Sequence, residues 1–259
     1  MLKVCAFDLG NTLSDDAALL AGSLADVSEW LAGRGAVPDA AAFRAVYAGI
    51  NDGCFRPFIS HTFGEPEFFQ AALAGVGADG VGAEEALAKY REFLAARSRI
   101  SPRLPEALAW LKSRGLKLAI LSNERVSRVE AFLSATGIAG FFDELVVSEG
   151  IGVEKPDERF FSLALERCGA SGPETAMFGD NEIADGACRR LGIRFVLCTE
   201  YKKSGWGWEA GDPHSPDYVL ERIERPALEK FLAWQAQNRR MDGKSRRDFD
   251  SKGSNGGRS

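Results

Sequence analysis

The sequence predicts a doubly wound α/β domain, a parallel sheet core carrying a helical insertion. Three observations support this. Short, continuous apolar runs alternate with amphipathic stretches, the pattern of strands buried on both faces by crossover helices. Residues 15–99 show helical periodicity and no buried strand, and these 85 residues far exceed the ~2–6 of an ordinary βα loop. The 259 residues are 45% apolar and 27% charged, a balance that excludes disorder throughout and suits about 1.7 domains of ~150 residues.

Taken in chain order, Leu2–Leu9 is the first strand. Residues 15–99 follow as a helical cap, periodic at Ala17–Arg34, Ala40–Ile50, Glu67–Ala74 and Ala83–Ala96. Alternation then resumes with helix Leu104–Arg114, strand Leu116–Ser122, helix Val126–Thr136 and strand Glu144–Val147. Helix Glu158–Cys168, strand Thr175–Gly179, helix Glu182–Leu191 and strand Arg194–Cys198 complete it. Residues 1–14 and 100–235 therefore make one core, and the cap leaves from the carboxyl end of the first strand, where open parallel sheets bind ligands. Residues 236–259 carry seven Lys/Arg against three Asp, with four glycines, and are expected to be a disordered basic tail.

Composition excludes several function classes. The formal charge is −5, and the tail's +4 leaves −9 on residues 1–235, so bulk nucleic-acid binding is not expected. No apolar run approaches the ~18 residues of a membrane span, and Asp8 interrupts the only hydrophobic run of MLKVCAFDLG, so neither a membrane anchor nor a signal peptide is expected. Five scattered cysteines form no CxxC pair and read as buried thiols of a cytoplasmic protein. Only His61 and His214 are present, which excludes a three-histidine metal site.

Four motifs end four successive strands: Asp8 in FDLGNTL, Ser122 and Asn123 in LSNE, Lys155 in EKPDERFF, and Asp180 and Asp185 in FGDNEIADGA. Any one alone reads as a cap or a solvated charge. Together, in this order, over residues 1–225, the chain resembles the haloacid dehalogenase (HAD) superfamily of phosphohydrolases, with a DxGNT variant of the first motif. The resemblance implies a Rossmann-like core with a helical cap and a Mg²⁺-dependent phosphatase acting on a phosphorylated small molecule. It further implies Asp8 as nucleophile, Ser122 as phosphoryl hydrogen-bond donor and Lys155 as charge neutraliser. Asp8, Asp180 and the backbone carbonyl of Gly10 would hold Mg²⁺, with Asp185 supporting the metal directly or through water, and Asn123 beside the substrate.

The residue types suit that chemistry. A phosphate dianion and a carboxylate repel each other, so attack by Asp8 needs compensating charge from a cation and a lysine. Magnesium takes oxygen ligands and keeps several waters, which matches a sparse carboxylate set. An aspartyl-phosphate would form and then be hydrolysed.

One position departs from the family pattern. The usual second aspartate, two residues after the nucleophile, is Gly10 here. That aspartate protonates the leaving group, work that contributes about 10²–10⁴-fold. Its absence predicts a preference for acyl, anomeric or phenol-like phosphates, unless Glu124, Asp15 or Asp16 substitutes. Two alternatives follow: a haloacid dehalogenase-type hydrolase, which needs no such aspartate, and a non-catalytic phosphoryl-binding or scaffold protein.

Other features read more plainly. Phe55–Phe69 holds five of the 17 phenylalanines with Arg56 and His61; the aromatics read as cap core, and Arg56 is a candidate substrate contact. Gly75–Gly80 matches GxGxxG but follows a helical stretch, so it reads as a turn. Trp206 and Trp208 read as packing side chains, and His214 has no partner spacing.

Overall fold

The computed structural model describes residues 1–55, 65–203 and 214–238, with the side chains of 52–55 and 65 outside the described set. Six parallel strands form one sheet: β1 (Val4–Phe7), β2 (Lys117–Ser122), β3 (Glu144–Val147), β4 (Thr175–Gly179), β5 (Arg194–Cys198) and β6 (Tyr218–Leu220), in the order β3-β2-β1-β4-β5-β6. The chain runs outward from β1 through β2 to β3, then returns to place β4 on the other side of β1. That reversal opens a crevice between the carboxyl ends of β1 and β4.

The period-2 alternation of each strand divides the core into two layers. Cys5, Phe7, Leu118, Ile120, Ala176, Phe178 and Val196 face one layer, where Phe7 stacks on Phe178 with ring centroids 4.8 Å apart. Val4, Ala6, Ala119, Leu121, Met177 and Phe195 face the other. Helices α5 (Leu104–Ser113) and α6 (Val126–Thr136) cover the first layer, and α8 (Glu158–Cys168) covers the second with Phe160, Phe161 and Ala164. Both α6 and α8 stop at a glycine in the left-handed region, Gly137 (φ 70°) and Gly169 (φ 64°), where a side chain would be strained. A single helical turn, α7 (Ser148–Ile151), follows β3 directly.

Between β1 and α5 lie four helices: α1 (Asp16–Gly33), α2 (Ala40–Phe55), α3 (Glu65–Gly75) and α4 (Ala83–Arg97). Helix α1 packs on α4, and α2 on α3. Phe43, Tyr47, Phe69 and Tyr90 form their aromatic centre, with Tyr47 and Phe69 centroids 5.1 Å apart. Phe68 and Phe69 are buried, as expected of this segment's phenylalanines; Phe58 and Phe63, Arg56 and His61 lie outside the described residues. Gly75 ends α3, and Gly77 and Gly80 adopt positive φ in the turn that follows, so GVGADG is not a nucleotide loop.

Three elements differ from the sequence expectation. The predicted helix Glu182–Leu191 is a turn followed by a 3₁₀ helix at Gly186–Leu191. Asn181 Oδ1 accepts from the backbone of Ile183 and Ala184, both at 2.9 Å, as a helix N-cap does. Gly186 N then reaches back to Asn181 O and Cys188 N to Asp185 O, so the turn tightens instead of continuing as an α-helix. Strand β6 was not anticipated, because three residues with Val219 56% exposed make no apolar run. A helix over 225–238, here α9, was also unread; it buries Leu228 and Phe231 against the sheet and enters the expected tail by three residues. Residues 239–259, Trp206 and Trp208 lie outside the described set.

Cys5, Cys168, Cys188 and Cys198 are buried free thiols, as the scattered spacing suggests. Among the described residues no helix is long and apolar enough to cross a membrane.

Candidate active site

Three of the four motifs sit at strand ends, placed there by the register of the sheet, whereas Lys155 lies past the end of β3, beyond α7. The Asp8 amide donates to Phe178 O at 2.8 Å, which extends the β1–β4 pairing by one residue and aims Asp8 into the crevice. Ser122 is the last residue of β2, 2% exposed and paired in register with Val147. Asp180 directly follows β4.

Lys155 ties these ends together. Its Nζ donates to Asp8 Oδ1 at 2.7 Å, Asp185 Oδ1 at 2.6 Å and Leu121 O at 2.9 Å. All three ammonium protons are thereby satisfied in a residue only 2% exposed. Asn123 braces it from behind: Asn123 Oδ1 accepts from the Lys155 amide and Asn123 Nδ2 donates to the Lys155 carbonyl, both at 2.7 Å. Asn123, expected beside the substrate, uses one Nδ2 hydrogen and one Oδ1 lone pair on the backbone of the lysine.

Asp8, Asp180 and Asp185 each place a carboxylate oxygen within 4.8 Å of the others. One lysine against three carboxylates leaves a net charge of −2 at this point if all are ionised. Burial raises the Asp8 carboxyl to about 7; Lys155 opposes the rise and Asp185 adds to it. Asp180 is also held well above the ordinary carboxylate value, by burial and then by Asp8 and Asp185. Burial pulls the Lys155 ammonium down, but Asp185 and Asp8 outweigh it and hold its pKa above the ordinary lysine value. An all-oxygen carboxylate set with surplus negative charge fits a hard divalent cation such as Mg²⁺. The site's electrostatics favour a cation in the same way.

The surrounding residues are fixed locally. Asn11 adopts φ 54° and its Oδ1 accepts from Ala17 N at 3.2 Å, so the turn after Asp8 caps the start of α1. Thr12 Oγ1 donates to Asp8 Oδ2 at a long 3.3 Å. Gly179 has a steric role: a Cβ there would stand 2.2 Å from Asp185 Oδ2. Asp185 Oδ2 accepts from Asn181 N at 3.1 Å, and Lys202 Nζ donates to Asp180 O at 2.7 Å.

The three candidate substitutes for a carboxyl at Gly10 differ sharply. Asp15 caps α1 through Ala18 N and pairs with Lys203 at the surface. Glu124 and Asp16 are both bound by Arg128 of α6, and Asp16 is 6% exposed. His214 sits on the 3₁₀ segment, its Cβ 2.9 Å from where a Gly186 side chain would begin. Thr12, Lys202 and Arg128 went unread in the sequence; only Thr12, one residue beyond the LGN turn, carried any positional signal.

Comparison with known proteins gives consistent results. A family model described as haloacid dehalogenase-like hydrolase matches residues 2–202. Phosphoserine phosphatase of Thermus thermophilus is 36% identical over 169 residues, 63% of this chain and 64% of that protein. The chain spans about half to just under two thirds of the length of the first curated relatives it matches. Among solved structures, the HAD protein YfnB of Bacillus subtilis, bound to magnesium, superposes with TM-score 0.66 at 21% identity, covering 91% of this chain and 99% of that one. A 2-haloacid dehalogenase of Pseudomonas syringae gives TM-score 0.66 at 23% identity, covering 90% and 100%. At these identities the structural likeness is one of fold.

Proposed function

The chain belongs to the haloacid dehalogenase-like hydrolases, and from that premise we propose that it is a phosphoric monoester hydrolase acting on a phosphorylated small molecule. The observation that carries this reading is the buried lysine that joins Asp8 and Asp185 beside Asp180, at the switch point of the sheet. A nucleophilic carboxylate held against an ammonium, with two more carboxylates placed to bind a divalent cation, suits a reaction that needs added positive charge, as attack on a phosphate does.

Asp8, Asp180 and the backbone carbonyl of Gly10 would hold Mg²⁺, with Asp185, fixed by Lys155 and Asn181, supporting it directly or through water. When bound, the cation supplies the positive charge that offsets repulsion between phosphate and carboxylate. Lys155 fixes Asp8 Oδ1, leaving Oδ2, with its long contact from Thr12, as the attacking oxygen. The aspartyl-phosphate so formed is then hydrolysed. Ser122 and the turn amides after Asp8 hold the phosphoryl oxygens. The helices of residues 15–99 act as the cap over the 1–14 and 100–235 core. A cytoplasmic location fits the buried free thiols.

The test is hydrolysis of a panel of phosphomonoesters with Mg²⁺ and with chelator, beside Asp8→Asn. Turnover that needs the cation and disappears in a folded Asp8→Asn is expected. Phosphomonoester turnover that survives the chelator overturns the Mg²⁺ requirement, and halide release from a 2-haloacid with no phosphomonoester turnover overturns the phosphatase reading. Phosphate binding with no turnover on any ester points to the scaffold alternative.

A further inference from the structure

A phosphomonoester with an alkyl leaving group needs a proton donor as its P–O bond breaks, and the hydrolytic water then needs an acceptor. Lys155 is committed to Asp8, Asp185 and Leu121 O, and Asp8, Asp180 and Asp185 form the anionic cluster. Gly10, two residues past Asp8, offers no side chain. The space beside it is filled from elsewhere. A Cβ built on Gly10 would lie 3.0 Å from Asp16 Oδ2 and 3.3 Å from Asp16 Cγ. A second carboxyl therefore stands where a side chain at position 10 would project.

Asp16 is held there by partners from another part of the fold. Arg128 Nη2 donates to Asp16 Oδ1 at 2.5 Å, and Arg128 Nη1 donates to Glu124 Oε1. Glu124 Oε2 also accepts from the Arg125 amide at 3.1 Å. The trio joins the first residue of α1, the loop after β2 and the first turn of α6, and the side chains of Asp16 and Arg128 are 9% and 8% exposed. One guanidinium thus serves two carboxylates. Arg128 occupies Oδ1 and leaves Oδ2 as the oxygen nearest Gly10. Asp15 has neither feature, being exposed and used as a helix cap.

We propose that Asp16 is the general acid and base of this site, delivering from α1 the carboxyl that Gly10 lacks; this rests on the phosphomonoester hydrolase reading above. In the first step an Asp8 oxygen bonds to phosphorus and the P–O bond to the leaving group breaks. The leaving oxygen keeps that electron pair and takes the proton of Asp16, departing as the alcohol. In the second step a water oxygen bonds to phosphorus, the P–O bond to Asp8 breaks and Asp8 regains its carboxylate. The proton lost by the water returns to Asp16. The expected restriction to weakly basic leaving groups then lapses, and alkyl phosphates are substrates.

The test compares an alkyl ester, glycerol 2-phosphate, with an aryl ester, 4-nitrophenyl phosphate, at saturating Mg²⁺. Asp16→Asn keeps the side-chain shape, and Arg128 keeps Glu124 as a counter-ion. The expected result is a loss of about 10²–10³-fold in kcat for the alkyl ester and under about tenfold for the aryl ester. Gly10→Asp added to Asp16→Ala is expected to recover at least about tenfold on the alkyl ester, because the crowding carboxyl is gone. Should Asp16→Asn fail to fold, Asp16→Glu keeps the charge, and the same alkyl-selective loss is expected of it. Equal losses on both esters, or no loss, overturn the assignment while leaving the phosphatase reading intact. A wild-type enzyme that hydrolyses neither ester nor any other monoester overturns both.

Discussion

Lys155→Met removes the only side-chain cation in direct contact with Asp8 and Asp185 among the described residues, and fills the space with an apolar chain of similar length. The remaining carboxylates lie within 4.8 Å of one another. At an effective dielectric of about 20, two unit charges at that distance repel by about 3–4 kcal/mol. Breaking a buried pair by removing one partner typically costs about 3–5 kcal/mol. The two figures agree, so a loss of about 3–5 kcal/mol is expected for chelator-treated protein at pH 8. For a chain of this size that is a fall of about 6–20 °C in Tm, followed by circular dichroism. The penalty depends on ionisation. Burial raises the Asp8 carboxyl, and removal of Lys155, which opposes that rise, raises it further, so the loss should be smaller at pH 5.5, where Asp8 carries a proton. Lys155→Met with Asp185→Asn should regain about 2 kcal/mol, since one repulsive partner is removed. A loss below about 1 kcal/mol at pH 8, or an equal loss at both pH values, refutes the electrostatic account of the cluster.

Two further outcomes follow from the same geometry. The raised Asp8 carboxyl contributes stability that is complete below its unfolded value of 3.8 and is lost as pH rises to about 7. Chelated wild-type protein should therefore lose Tm between pH 5 and 7.5, Asp8→Asn should flatten that slope, and Mg²⁺ should restore stability at the upper end; an unchanged slope in Asp8→Asn removes Asp8 as its source. Gly179→Ala would place a Cβ 2.2 Å from Asp185 Oδ2, so it should cost about 1–3 kcal/mol and lower turnover by displacing Asp185 from Lys155. Unchanged Tm and turnover would show that Asp185 moves aside freely.

Much of the fold was legible because its signals are local. The runs Glu144–Val147, Thr175–Gly179 and Arg194–Cys198 are strands with those boundaries, since continuous apolar residues between polar turns leave few other ways to be buried. The segment Glu182–Leu191 has helical apolar spacing and a capped start at Asn181, but its backbone bonds tighten to i−3 from Cys188 onward, a choice that the spacing does not signal. Strand β6 went unread because three residues at a sheet edge carry no periodicity.

For the site, the sequence determined that Asp8, Ser122 and Asp180 stand at strand ends, because chain order and alternation are enough to place them there; Lys155 instead follows α7, well past β3. It also exposed the gap at Gly10. Only the tertiary structure decided how these residues use one another. Lys155 and Asp8 are 147 residues apart, and Asp16 and Arg128 are 112 apart. Neither spacing carries a signal, because such a contact exists only once the sheet has closed and α1 has docked beside α6. The same closure made Asn123 a brace for Lys155 and set a buried carboxyl beside the glycine that lacks one. Periodicity is a property of neighbours in the chain; charge pairing in a buried crevice is a property of neighbours in space.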